Sequence, residues 1–143
     1  MSYKALRLIG ISGALFAMSA VAMGAFAAHG LKSILDSAAL ETIRTAVLYQ
    51  FIHSLAMLII LALMILKPFA QVQHLLKLSG CLMLTGCILF SGSLYCLALT
   101  QITWFGPITP LGGVAFILAW LILAVAISRI KPIPDNTIEN RNG

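Results

Sequence analysis

Apolar positions in this chain come in long unbroken runs, not in the alternation of a half-buried strand or the one-sided stripe of a soluble helix. Residues 8–31 contain no Asp, Glu, Lys or Arg, nor do residues 45–66, and residues 78–128 form a stretch of 51 without a formal charge. About 20 apolar residues cross a bilayer as one helix, so these runs predict one, one and two spans. The expected class is an all-α integral membrane protein, a four-helix transmembrane bundle. Its spans fall at about 8–28, 45–66, 78–99 and 109–128. Residues 1–131 read as a single transmembrane domain and 132–143 as a polar, disordered tail.

Small and polar residues within the runs carry the next layer of information. Gly10, Gly13, Ala17, Ala20, Gly24 and Ala27 recur every three or four positions and form one stripe along the first span. Small side chains let helices approach closely in lipid, so the stripe predicts a packed face, within the chain or against a partner. His29-Gly30 reads as the end of that helix, with Gly30 in the left-handed capping position. Residues 36–44 predict a short interfacial helix in the first loop that runs on into the second span. Ser33 or Asp36 is its N-cap, and Glu41 can pair with Arg44. Lys67-Pro68 stops the second span. In the third, at ~100° per residue, Gly80, Cys87, Ser91 and Tyr95 share a face, with Gly92 beside it and Gly86 and Ser93 elsewhere. Such a helix touches several neighbours. Trp104 and Phe105 mark the next interface. Thr109-Pro110 opens the fourth span as N-cap and N1, with Gly112 and Gly113 allowing close approach.

Composition agrees with the pattern. The chain is 61% hydrophobic and 9% charged, with a mean hydropathy of +1.04, outside the soluble globular range. Its +5 formal charge does not indicate nucleic-acid binding, because Lys and Arg sit singly at span ends instead of clustering on one face. They report orientation. With a cytoplasmic N-terminus, that side holds Lys4, Arg7, Lys67, Lys77, Arg129, Lys131 and Arg141, against Lys32 and Arg44 opposite. Both termini are therefore expected in the cytoplasm. Lys4, Arg7 and Ala25-Phe26-Ala27 resemble a cleavable secretory signal, but the uncharged run is longer than a signal core and further spans follow. An intact first span is the expectation.

Candidate chemistry is sparse and gathers at the outer end. His29, Tyr49, Gln50, His53, Ser91, Ser93, Tyr95 and Thr109 all fall within roughly 15 Å of the outer boundary at ~1.5 Å rise per residue. Tyr49 and Gln50 lie four and three residues before His53, so either can meet it on one helix. A histidine in hydrocarbon faces the bundle interior or a wet cavity. The cluster is thus either a small polar pocket or interhelical hydrogen bonding worth about 0.6 kcal/mol per contact. His74 falls in the opposite loop, so the three histidines do not converge. Cys81, Cys87 and Cys96 share one helix without disulfide geometry or zinc spacing and read as small packing residues. No span carries a carboxylate, Ser91-Gly92-Ser93 lacks the frame of a nucleophile elbow, and no cofactor motif is present.

Four segments, Gly24-Ala25-Phe26-Ala27-Ala28-His29-Gly30, Tyr49-Gln50-x-x-His53, Leu89-Phe90-Ser91-Gly92-Ser93-Leu94-Tyr95 and Ile108-Thr109-Pro110-Leu111-Gly112-Gly113 leading to Trp120, occur in order. In these the chain resembles the small bacterial inner-membrane proteins of domain-of-unknown-function family 423 (UPF 0382, the YgdD and YwdK type), over residues 5 to 130. Ala27 departs from that pattern, where Gly is common. The resemblance implies four helices and a bacterial plasma-membrane location, and it implies no activity. Three functional readings stand. One is a non-enzymatic accessory, transport, or small-ligand or lipid-binding protein, acting as an oligomer or with a membrane-protein partner. Another is an intramembrane enzyme using His53 with Tyr95 or Ser91 on a lipid-like substrate. The last is a structural subunit of a larger complex.

Overall fold

The computed structural model describes residues 3–130 of the chain, so the tail expected at 132–143 lies outside the described residues. Five α-helices follow one another: α1 (Tyr3–His29), α2 (Ser37–Ile65), α3 (Gln73–Gly86), α4 (Gly92–Thr100) and α5 (Thr109–Ser128). A π-helical turn, Cys87–Ser91, joins α3 to α4, and 3-10 turns occupy Lys67–Val72 and Thr103–Ile108. The α3–π–α4 rod counts as one span. Four helical rods are therefore long and apolar enough to cross a membrane, and no strand occurs among the described residues.

The helix boundaries depart from the sequence reading in instructive places. The short helix expected in the first loop does run on into the second span, and without a break: residues 37–44 are the first two turns of α2, so that helix starts well before residue 45. No Gly or Pro interrupts them. Asp36 caps the start by accepting from the Ala39 amide at 2.7 Å, and Arg44 pairs with Glu41 one turn on. Gly30 is not left-handed, since the only positive φ among the described residues belongs to Gln101. The Phe26 ring, 2.5 Å from where a Gly30 Cβ would stand, is what requires glycine there. Thr109 does not act as N-cap. The preceding 3-10 turn already holds Ile108 in helical conformation, and the Thr109 hydroxyl pairs with Ser93 instead.

Packing is built on the small residues. The α1 stripe lies along α2 in a constant antiparallel register, with Gly10 against Leu61, Gly13 against Leu58 and Gly24 against Val47. Ala20 is wholly buried on the same seam. The stripe is thus used within the chain. On the other side α5 reaches the third rod through Gly112, whose missing Cβ would lie 2.3 Å from the Phe90 backbone nitrogen, and through Gly86, covered by the Phe116 ring. Gly113 makes only ordinary contact with the Phe90 ring. Large apolar side chains of α5 such as Ile117 and Leu121 point outward, as a lipid-embedded rod requires. One apolar core gathers Ile9, Met57, Ile60, Leu76 and Met83. A smaller one gathers Ala27, Leu31, Ile43 and Ala98.

Candidate functional site

Between the two apolar cores runs a belt of buried polar side chains: Gln50, His53, Ser54, Ser91 and Ser93. It lies deeper than a second span beginning at residue 45 would place it. Because α2 starts at Ser37, His53 sits about 24 Å along the helix from that end and about 18 Å from the other. Successive positions on α2 point about 100° apart, and that angle divides the belt. Tyr49 and His53 face α5, whereas Gln50 and Ser54 turn away from them. Gln50 does not meet His53.

On the α5 side His53 is fully engaged. Its ring stacks on Phe116 with centroids 3.4 Å apart, and Tyr49 stacks beyond it at 5.9 Å. The Trp120 indole N–H donates to His53 Nε2 at 3.2 Å. An indole can only donate, so Nε2 carries the lone pair and Nδ1 carries the proton. Nδ1 then donates to the Tyr49 carbonyl one turn back, at 2.6 Å. Phe90 closes the aromatic group against Tyr49 at 4.6 Å.

On the α1 side Gln50 crosses to the neighbouring backbone. Its amide nitrogen donates to the Phe16 carbonyl at 2.8 Å and to Ser19 Oγ at 2.7 Å, while Ser19 donates to the same carbonyl. Next to this bridge is a cavity of about 390 Å³, walled by Phe16 and Ser19 of α1, Gln50, Cys87 of the π turn, and Gly92 and Tyr95 of α4. The Tyr95 hydroxyl is buried beside it with no hydrogen-bond partner. Gly92, expected as a packing residue, has nothing within 4 Å of where its Cβ would stand. It opens space instead of closing it.

Two of the remaining candidates tie helices together: Ser91 donates to the Ala46 carbonyl at 2.9 Å and Ser93 shares a hydrogen bond with Thr109 at 2.7 Å. Ser54, a belt member outside the sequence candidates, donates within α2 to the Gln50 carbonyl at 2.5 Å. His29 is exposed at the end of α1 and joins none of them. Among the described residues no three His, Cys, Asp or Glu side chains converge as a metal site would require, and all three cysteines are free. Sequence reasoning missed Phe16, Ser19 and Phe116 as belt members. An aromatic inside an apolar run carries no sign of whether it meets lipid or a histidine. The signal available for Trp120 was its indole N–H, a donor in hydrocarbon that needs an acceptor.

These features define a four-span membrane bundle with a hydrogen-bonded polar layer at mid-depth. The model of the family described as "Protein of unknown function (DUF423)" matches residues 23–113. The UPF0382 membrane protein SAB0533 of Staphylococcus aureus is 44% identical over 121 residues, covering 85% of this chain and 95% of its own. The UPF0382 membrane protein YwdK of Bacillus subtilis is 42% identical over 117 residues, 81% and 92% respectively. The chain belongs to this DUF423 (UPF0382) family of membrane proteins. No solved structure matches it.

Proposed function

We propose that the protein acts by non-covalent binding inside the membrane and not by chemical turnover. The observation that carries this reading is the state of His53. Both ring nitrogens are committed, one accepting from Trp120 and the other donating to Tyr49. To act as a base His53 would have to give up the Trp120 bond, and the carboxylate on its own helix, Glu41, lies about 18 Å away along the axis and pairs with Arg44. The serines are likewise spent on Ala46, Gln50 and Thr109. A belt whose histidine and serines are paired in this way positions helices and leaves cavity walls, not reactive groups, for a ligand.

Charge placement supports a bacterial inner-membrane location with both termini cytoplasmic, seven cations facing two. Self-association or a membrane-protein partner would use an outward face such as that of α5, because the α1 stripe already packs on α2.

The test is native mass spectrometry of wild type and His53→Ala from nanodiscs of bacterial lipid, with chromatography of the same lipids after incubation. A small molecule carried by wild type, with an unchanged lipid profile, is the expected result. A new lipid product that appears with wild type and disappears with His53→Ala overturns it.

A further inference from the structure

We propose that the cavity between α1 and the π turn binds an uncharged, hydroxyl-headed lipid, with the Tyr95 hydroxyl and Gln50 Oε1 holding its head group. This rests on the binding reading above and names its ligand class. Four observations converge on the site. The Tyr95 hydroxyl is buried and unpaired, a cost in hydrocarbon that an arriving hydrogen-bond partner removes. Gln50 lines the same cavity with its nitrogen used twice and its carbonyl oxygen open. Gly92 faces empty space. The wall itself is π-helical, with the Gly92 amide bonded to the Cys87 carbonyl five residues back, a distortion frequent at functional sites.

Depth and donor pattern fix the ligand class. Phe16 lies midway along α1, about 20 Å from either end, and the stretches that wall the cavity, residues 8–31, 45–66 and 78–100, hold no formal charge. A phosphate or ammonium brought to that depth would be an unpaired buried ion. A neutral head group escapes that cost. One hydroxyl supplies both complements, accepting from Tyr95 and donating to Gln50 Oε1. The Tyr95 side chain already forms part of this wall. The volume of about 390 Å³ is in the range of small-molecule pockets. It holds a head group and the start of a chain, whose remainder leaves past the outward-facing Ile88 into the bilayer. Diacylglycerols and polyprenols share this chemistry.

The experiment adds dioleoylglycerol, a long-chain polyprenol or, as charged control, dioleoylphosphatidylglycerol to the detergent-solubilised protein and reads adducts by native mass spectrometry. We expect one neutral lipid per chain, roughly tenfold weaker binding in Tyr95→Phe, the loss of one hydrogen bond, and none in Gly92→Leu, which fills the cavity. Which neutral lipid binds separates the two sources. Equal adducts on wild type and both variants, or an equal phosphatidylglycerol adduct, overturn the proposal. Tyr95→Phe removes only an unpaired hydroxyl and is expected to fold, so it decides the matter if Gly92→Leu does not. An added lipid recovered with changed mass defeats the binding reading itself. Recovery unchanged with no adduct defeats only this site.

Discussion

Replacing Gly112 and Gly92 by alanine makes the same chemical change at two positions with opposite surroundings. Alanine is favoured over glycine inside a helix by about 1 kcal/mol, and both residues are helical. At Gly92 that gain is unopposed, because the new methyl meets nothing within 4 Å. At Gly112 the methyl would stand 2.3 Å from the Phe90 nitrogen and 2.7 Å from its Cα. Backbone cannot rotate aside as a side chain can, so α5 must move by about 1 Å, and overpacking of this kind costs typically 1–3 kcal/mol. Because the obstacle is backbone, the cost belongs at or above the top of that range, leaving a net loss of about 2 kcal/mol. Gly92→Ala is expected to be neutral or more stable by up to about 1 kcal/mol. The assay is titration with sodium dodecyl sulfate in dodecylmaltoside micelles, followed by tryptophan fluorescence and circular dichroism. Equal midpoints for the two variants, or Gly92→Ala the less stable, would refute the account of how α5 seats on the third rod.

Trp120→Phe is expected to cost between about 0.6 and 2 kcal/mol by leaving His53 Nε2 without a donor. A double-mutant cycle with His53→Phe should return a coupling of that size, and additive losses would mean the bond contributes nothing. Gln50→Leu removes the bridge to Phe16 and Ser19, so amide exchange near residues 16–20 should quicken while α5 is unchanged. Uniform quickening would instead indicate global destabilisation. In a cysteine-free background, Ser33→Cys should react with an impermeant thiol reagent from outside the cell and Ala70→Cys only after the membrane is opened. The reverse pattern would invert the proposed orientation.

Much of the architecture was legible because membrane spans announce themselves by absence of charge. The Asp36 cap, the Glu41–Arg44 pair and the small-residue seam of α1 were equally readable, since each depends on neighbours at fixed helical spacing. What stayed hidden depends on other helices. Whether the α1 seam met α2 or a partner was open until Leu61, Leu58 and Val47 were seen against it. Thr109 has the composition of a cap, yet a hydroxyl opposite Ser93 finds a better use for its proton. The candidate residues were grouped as one cluster, pocket or hydrogen-bond network, because they share a depth, but adjacent positions on α2 diverge by about 100°. The belt therefore splits into an aromatic side and a cavity side. The π turn left no trace in the sequence, because one additional residue in a turn does not disturb an apolar run.

That turn makes the third rod one residue longer than its neighbours need it to be. A π bulge absorbs an added residue while the helix on either side keeps its own facing. Deleting the outward-facing Ile88 from Cys87–Ser91 should therefore leave Gly86 under Phe116 and Ser93 opposite Thr109, and remove the widened wall. The same deletion within α5 would turn everything beyond it by about 100° and carry Trp120 away from His53. Tolerance to a lost codon is thus concentrated in a single turn of the protein, the one that borders the cavity.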